Sequence, residues 1–240
     1  MATSDDFAGV YGLSFDCYGT LIDWERGIGT ELERWARRHD CDTPAAELVE
    51  LVGSIESSVQ QEHPEMRYPD VLATVLQRVG DRLGVEVRPI EAAEFGASVG
   101  RWPAFPDSAD ALARLSRRFR LVVLSNIDRD SFAASNERLG VEFDLVVTAE
   151  DVGSYKPDPR NFDVLIDSLA TIDLEREELV HVAQSLYHDH EPARRIGLRT
   201  VWIDRRHDQE GFGGTPPPSG AVQPDWRFES MSAFADAVLG

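Results

Sequence analysis

The sequence predicts an α/β fold: a parallel sheet with helices on both faces and a helical segment inserted after the first strand. Two observations predict the sheet. Five short runs, Val10 to Phe15, Leu121 to Leu124, Leu145 to Val147, Leu179 to Val182 and Thr200 to Ile203, are bounded by turn residues. They are mostly apolar and rich in β-branched residues, as strands buried on both faces are. Helical periodicity lies between them, and strands alternating with helices build a parallel sheet. A third observation sets the insertion apart: residues 24–102 keep helical spacing and contain no convincing strand.

Taken in order, Val10 to Phe15 is the first strand. Apolar residues then recur every three or four positions: Ile28, Leu32 and Trp35; Leu48, Val52, Ile55 and Val59; Leu72, Val75, Leu76, Val79 and Leu83. Each series makes one apolar stripe on a helix. The chain therefore divides into a core, residues 1–23 and 103–240, and a helical cap, residues 24–102. Ala109, Leu112 and Leu115 predict a helix before the second strand. Phe162, Leu165, Ile166 and Leu169 predict another before the fourth. Gly211 to Gly220 (GFGGTPPPSG) reads as a flexible loop, and Ser230 to Leu239 as a closing helix.

With 240 residues, 42% of them hydrophobic, and a mean hydropathy of −0.30, the chain has enough apolar surface to bury a core, which excludes general disorder. No apolar run approaches the ~18 residues of a membrane span. Met1 to Phe7 is acidic and does not read as a signal peptide. Two cysteines, Cys17 and Cys41, make no disulfide framework, so a reducing cytoplasm is expected. Lys+Arg total 24 against 43 Asp+Glu, a net charge of −19, which argues against nucleic acid and anionic membranes as partners. A small-molecule substrate and a second copy of the chain remain the expected partners. Lys156 is the only lysine. An acidic chain almost without lysine is similar to proteins of high-salt cytoplasms. A GC-rich genome would explain the arginine preference but not the acidic excess.

Ligands of open α/β sheets bind beyond the carboxyl ends of the strands. Asp16-Cys17-Tyr18-Gly19-Thr20 follows the first strand here, Ser125-Asn126 the second, Lys156 lies after the third, and Gln184 to Asp189 follow the fourth. One crevice would hold a nucleophilic carboxylate, an ammonium to keep it ionised, and hydroxyl and amide groups to orient substrate and water.

Phe15-Asp16-Cys17-Tyr18-Gly19-Thr20-Leu21, Leu124-Ser125-Asn126, Tyr155-Lys156-Pro157-Asp158-Pro159 and Asp189 resemble the four motifs of the haloacid dehalogenase superfamily. The resemblance implies a Rossmann-like core with the inserted cap and Asp16 as nucleophile. Phosphatases of the superfamily carry a second Asp two residues after the nucleophile, as acid to the leaving alkoxide. Tyr18 occupies that place and cannot serve so near neutral pH. Tyr there is similar to the type II (L-specific) 2-haloacid dehalogenases, whose halide leaves without a proton. The phosphonate-cleaving branch needs a cap lysine that this chain lacks.

What the resemblance implies is attack of Asp16 on C2 of a small 2-haloacid, then hydrolysis of the aspartyl ester. Lys156 would pair with Asp16. Thr20 and Ser125 would hold Asp16 and the substrate carboxylate, with Asn126 and the main-chain N–H groups of Cys17 and Tyr18 binding substrate. Asp189 would position Lys156 or the hydrolytic water. No metal or other cofactor is expected.

The chain also departs from the pattern. Gln184-Ser185-Leu186 stands where the resemblance has Ser-Ser-Asn, and Phe162 stands where it has Tyr. Leu48 to Val59 contains no arginine to capture halide, which leaves Arg67 or the pair Arg37-Arg38 as substitutes. Two alternatives follow: a phosphatase-like hydrolase of the same superfamily, and a non-catalytic binding module. His188 and His190 read as solvated or cap-facing rather than metal ligands. Trp24, Trp35 and Trp102 read first as packing between cap and core and second as lining the pocket. The pairs Arg117-Arg118, Arg194-Arg195 and Arg205-Arg206 read as solvated faces.

Overall fold

The computed structural model describes residues 3–240; Met1 and Ala2, assigned to the core from the sequence, lie outside the described residues. Six strands form one parallel sheet: β1 (Gly12–Phe15), β2 (Arg120–Ser125), β3 (Leu145–Thr148), β4 (Leu179–Ala183), β5 (Arg199–Ile203) and β6 (Trp226–Phe228). Their order is β3-β2-β1-β4-β5-β6, so the chain winds outward from β1 in both directions. Along β2, Leu121 and Val123 join one apolar cluster and Val122 and Leu124 the other. Side chains alternate across a strand, so both faces of the sheet are covered, which explains the apolar runs.

The five runs read from the sequence are all strands, but the sixth is missed. Trp226–Phe228 is three residues long, pairs only with β5 and is partly exposed throughout, so it carries no apolar run. The first strand starts at Gly12 rather than Val10, and Tyr11 before it is 57% exposed.

Between β1 and β2 lie α1 (Trp24–Arg38), α2 (Ala45–Glu62), α3 (Tyr68–Leu83) and α4 (Pro89–Gly96). The Asp23 side chain caps α1 by accepting from Arg26 N at 3.2 Å, and α3 stops at Gly84, whose φ of 69° suits glycine. Leu32, Val52, Leu72, Val75 and Val79 are wholly buried where these helices pack together. Each such side chain contributes about 1.5–3 kcal/mol. The sequence shows no stripe for α4, which is only eight residues long. None of the described helices is long and apolar enough to cross a membrane.

The remaining helices are α5 (Ser108–Leu115), α6 (Arg129–Leu139), α7 (Ala149–Val152), α8 (Arg160–Ser168), α9 (Glu191–Arg195) and α10 (Met231–Leu239). Two expectations are corrected here. Arg205 is not part of a solvated face: its guanidinium binds both oxygens of Asp107 (2.9 and 3.0 Å) and the Thr20 carbonyl (2.9 and 3.1 Å). Arg206 pairs with Glu25 at 2.7 Å. Nor is 211–220 a free tether. Gly214 N donates to Glu25 Oε1 at 2.8 Å, and a Cβ on Gly53 of α2 would lie 1.8 Å from the Gly214 carbonyl oxygen. The loop therefore rests on α1 and α2, and only a glycine admits that approach.

Candidate active site

Asp16 is the first residue beyond β1, its N–H donating to Val182 O of β4 at 3.1 Å. The turn that follows folds back through Leu21 N to Cys17 O (2.8 Å) and Gly19 N to Ile22 O (2.8 Å). Gly19 has φ 97°, a conformation strained for any L side chain. The turn brings Thr20 under the carboxylate. Its hydroxyl donates to Asp16 Oδ2 at 2.8 Å and accepts from Gln184 N at 2.9 Å, tying the ends of β1 and β4 together.

Lys156 reaches the same point from the loop after α7. Its main chain is gripped by Asn126, which accepts from Lys156 N (2.6 Å) and donates to Lys156 O (3.0 Å). The ammonium donates to Asp16 Oδ1 (3.0 Å), Leu124 O (2.8 Å) and Asp189 Oδ1 (2.5 Å). An ammonium has three protons, so all three are engaged. Asp189 sits in one π-helical turn, Leu186–His190, an uncommon geometry that recurs at functional sites. Behind it, His181 Nε2 is 3.0 Å from Asp189 Oδ1, and His181 Nδ1 is 2.9 Å from Ser14 Oγ. The arrangement is satisfied when Nε2 donates to the carboxylate and Nδ1 accepts from the hydroxyl.

Burial acts against every charge here. It pushes the Asp16 carboxyl up from its ordinary range, with Asp189 adding to the rise while Lys156 and Thr20 oppose it. Asp189 is buried too, yet Lys156 and the His181 hydrogen bond hold it well below the usual carboxylate range. For Lys156 the two carboxylates outweigh burial and raise its pKa, so it stays charged.

A cavity of about 70 Å³ opens onto these groups, with Asp16, Ser125, Asn126, Lys156 and Asp189 among its lining residues. Gly53, Glu56, Ser57 and Gln60 of α2, Tyr68 of α3 and Trp24 of α1 also line it, with the 214–216 loop. A water needs ~10–15 Å³ of such volume, so the space suits a ligand of on the order of five or six heavy atoms. A second cavity of about 370 Å³ shares Ser57, Gln60, Lys156 and His188 with it.

The structure brings Asp16, Lys156, Asp189, Ser125 and Asn126 together, with Thr20 behind Asp16. Ser125 Oγ and Asp189 Oδ2 are buried without a partner. Tyr18 lines the cavity, but its hydroxyl turns toward α6, 2.7 Å from Ser135 Oγ and 3.3 Å from Ser131 O. Burial raises that phenol well above its ordinary value. Cys17 packs its side chain in the core, and its thiol is not among the groups around the cavity.

Other expectations need correction. His190 is wholly buried, its Nε2 2.9 Å from Ala183 O, whereas His188 lines the cavity; burial holds both imidazoles neutral, at about 4. Trp24 lines the cavity, while Trp35 and Trp102 are core residues. None of the three substitute arginines lines the cavity: Arg67 binds Asp128, Asp130 and Glu150, Arg37 faces Glu33, and Arg38 faces Glu91 and Glu94. Sequence reasoning missed Ser14, His181, Glu56, Gln60 and Tyr68. Ser14 and His181 left a trace, each as a polar residue inside an otherwise apolar strand.

Among the described residues, no three His, Cys, Asp or Glu side chains converge as a cation site. The carboxylates of Asp16 and Asp189 both bind Lys156 instead.

The haloacid dehalogenase-like hydrolase family model matches residues 12–197. The (S)-2-haloacid dehalogenase of Pseudomonas sp. (strain YL) is 25% identical over 239 residues, covering 95% of this chain and 94% of that protein. The phosphoserine phosphatase of Thermus thermophilus is 31% identical over 150 residues, covering 60% of this chain and 55% of that protein. Among solved structures, the L-2-haloacid dehalogenase from Xanthobacter autotrophicus superposes with a TM-score of 0.77 at 18% identity, over 96% of this chain and 99% of that one. That likeness shows the shared fold.

Proposed function

The chain belongs to the haloacid dehalogenase-like hydrolases, and from that premise we propose that it displaces halide from C2 of a small 2-haloacid through an Asp16 ester. The observation that carries this reading is Tyr18. Two residues beyond the nucleophile, where an oxygen leaving group would need an acid, stands a phenol bound to Ser135. A halide leaves without a proton. The small cavity supports a substrate of few atoms, and three of the relatives are (S)-2-haloacid dehalogenases similar over 95%, 86% and 85% of this chain. A phosphatase reading lacks a carboxylate at position 18, where it would need an acid for the leaving oxygen.

In the first step an Asp16 oxygen attacks C2 opposite the halogen, the C–X bond breaks, and X⁻ leaves with the electron pair. Lys156 and Thr20 fix the carboxylate and favour its charged form against burial. Ser125 donates its unpartnered hydroxyl to the substrate carboxylate, aided by Asn126 and the main-chain N–H groups after β1. In the second step water attacks the Asp16 carbonyl carbon. Asp189 Oδ2, which has no protein partner, accepts from that water while Oδ1 anchors Lys156. The ester C–O bond breaks on the Asp16 side, the departing oxygen takes the proton that Asp189 accepted from the water, and the 2-hydroxy acid leaves while the water's second proton passes to solvent as the Asp16 carboxylate re-forms. Helices α1 to α4 act as the cap that keeps bulk water out.

Single turnover of (S)-2-chloropropionate by excess enzyme in oxygen-18 water tests this. Halide release with label entering Asp16, unaffected by chelator and lost in Asp16→Asn, is the expected result. Phosphate-ester turnover with Mg²⁺ and no halide release from any haloacid would overturn it.

A further inference from the structure

In the haloacid reading Ser125, Asn126 and the main-chain N–H groups after β1 give the substrate carboxylate neutral donors, but no cation lining the cavity is free to balance its charge. Lys156 is the only cation among the residues lining the cavity, and its three protons are committed to Asp16, Leu124 O and Asp189. With both carboxylates ionised, the site already carries one net negative charge before substrate enters. Where a receiving cation would be useful, α2 instead supplies the carboxyl of Glu56.

Resting on that reading, we propose that Glu56 is the specificity-determining group of this pocket, admitting an anionic substrate only when its own carboxyl is protonated and donates to the substrate carboxylate. An O–H···O⁻ hydrogen bond of that kind is short and strong. An ionised Glu56 would instead add a second net negative charge beside the ligand, and like charges in a partly dry site repel strongly.

Three observations carry the inference. Glu56 lines the same small cavity as the nucleophile and is only partly exposed. Gln60, one turn along α2, donates to Glu56 Oε1 at 2.7 Å and so fixes the carboxyl. The neighbours supply no countercharge. Tyr68 of α3 and Tyr155 of the loop after α7 are phenols with raised pKa values, Tyr18 is another, and His188 is neutral. Across the cavity stand Asp16, Asp189 and the committed Lys156, while α1 contributes Trp24 and the 214–216 loop brings no charge. Burial accordingly pushes the Glu56 carboxyl up to about 7, against the opposing hydrogen bonds of Tyr68 and Gln60. A change of protonation then falls within the ordinary working range of pH.

The test is binding of two unreactive probes, propionate and propionamide, by calorimetry across neutrality in the whole protein and in Glu56→Gln. In the wild type, propionate affinity should fall about tenfold per pH unit above the Glu56 transition, as loss of one linked proton requires. Propionamide affinity should stay flat. In Glu56→Gln, which always presents a donor, propionate should bind independently of pH. A flat wild-type profile, an unchanged slope in Glu56→Gln, or failure of both probes to bind overturns the proposal. pH-dependent propionate binding without halide release from any haloacid supports the role of Glu56 while refuting the dehalogenase reading.

Discussion

Lys156 Nζ lies 2.5 Å from Asp189 Oδ1, at the end of a buried chain that runs from Ser14 through His181 and Asp189 to the ammonium paired with Asp16. Only 2% of Lys156 is exposed, so neither charge has solvent to fall back on. Removing one member of such a pair leaves the others uncompensated, at about 3–5 kcal/mol. Lys156→Met should therefore lose that much stability in denaturant titration, together with turnover. Part of the stability should return at acid pH, where Asp16 and Asp189 protonate.

Ser125→Ala should separate function from stability. The hydroxyl is buried without a partner, so its removal relieves an unsatisfied group. Stability should be unchanged or up to about 1 kcal/mol higher. The kcat/KM for a 2-haloacid should drop at least about tenfold, equivalent to ~1.4 kcal/mol. A variant as active as the wild type would remove Ser125 from substrate binding.

Tyr18→Phe should do the opposite. The ring keeps its edge contact with Trp102, at 5.8 Å between centroids, while the bond to Ser135 is lost. A stability loss of about 1 kcal/mol is expected, with kcat within roughly threefold of the wild type. Collapse of kcat would instead place the phenol in the chemistry.

Glu56 makes stability depend on pH. Its folded pKa, about 7, lies above its ordinary 4.5, so the native state holds the proton more tightly than the unfolded chain. The stability this gives is complete below about pH 4.5 and is lost as pH rises to about 7. Glu56→Gln should accordingly melt higher than the wild type at pH ~8, by on the order of 2 kcal/mol after allowing for partial solvent screening. The gap should close toward pH ~5. A gap independent of pH would show that Glu56 titrates normally.

The net charge of −19 predicts a melting temperature that rises with salt. Repulsion reaches about 30 Å at 0.01 M ionic strength but only about 3 Å at 1 M. A melting curve that stays in place from low to molar KCl would refute the high-salt reading of the composition.

The sequence by itself determined the sheet, the insertion after the first strand and the groups at the strand ends. These follow from local signals: an apolar run marks a doubly covered strand, and the residue after it lies at the carboxyl edge. Asp16, Ser125, Asn126, Lys156 and Asp189 were legible for that reason. The tertiary structure decided what each group meets. A helical stripe shows which face of α2 is buried, but not that Glu56 lines one cavity with Asp16, forty residues earlier in the chain. His181 could not be paired with Asp189, nor Arg205 with Asp107, because contacts across folded elements leave no periodicity in the chain. Even the 211–220 loop, flexible by composition, becomes part of the pocket wall because Gly53 and Gly214 have no side chains to keep the two segments apart.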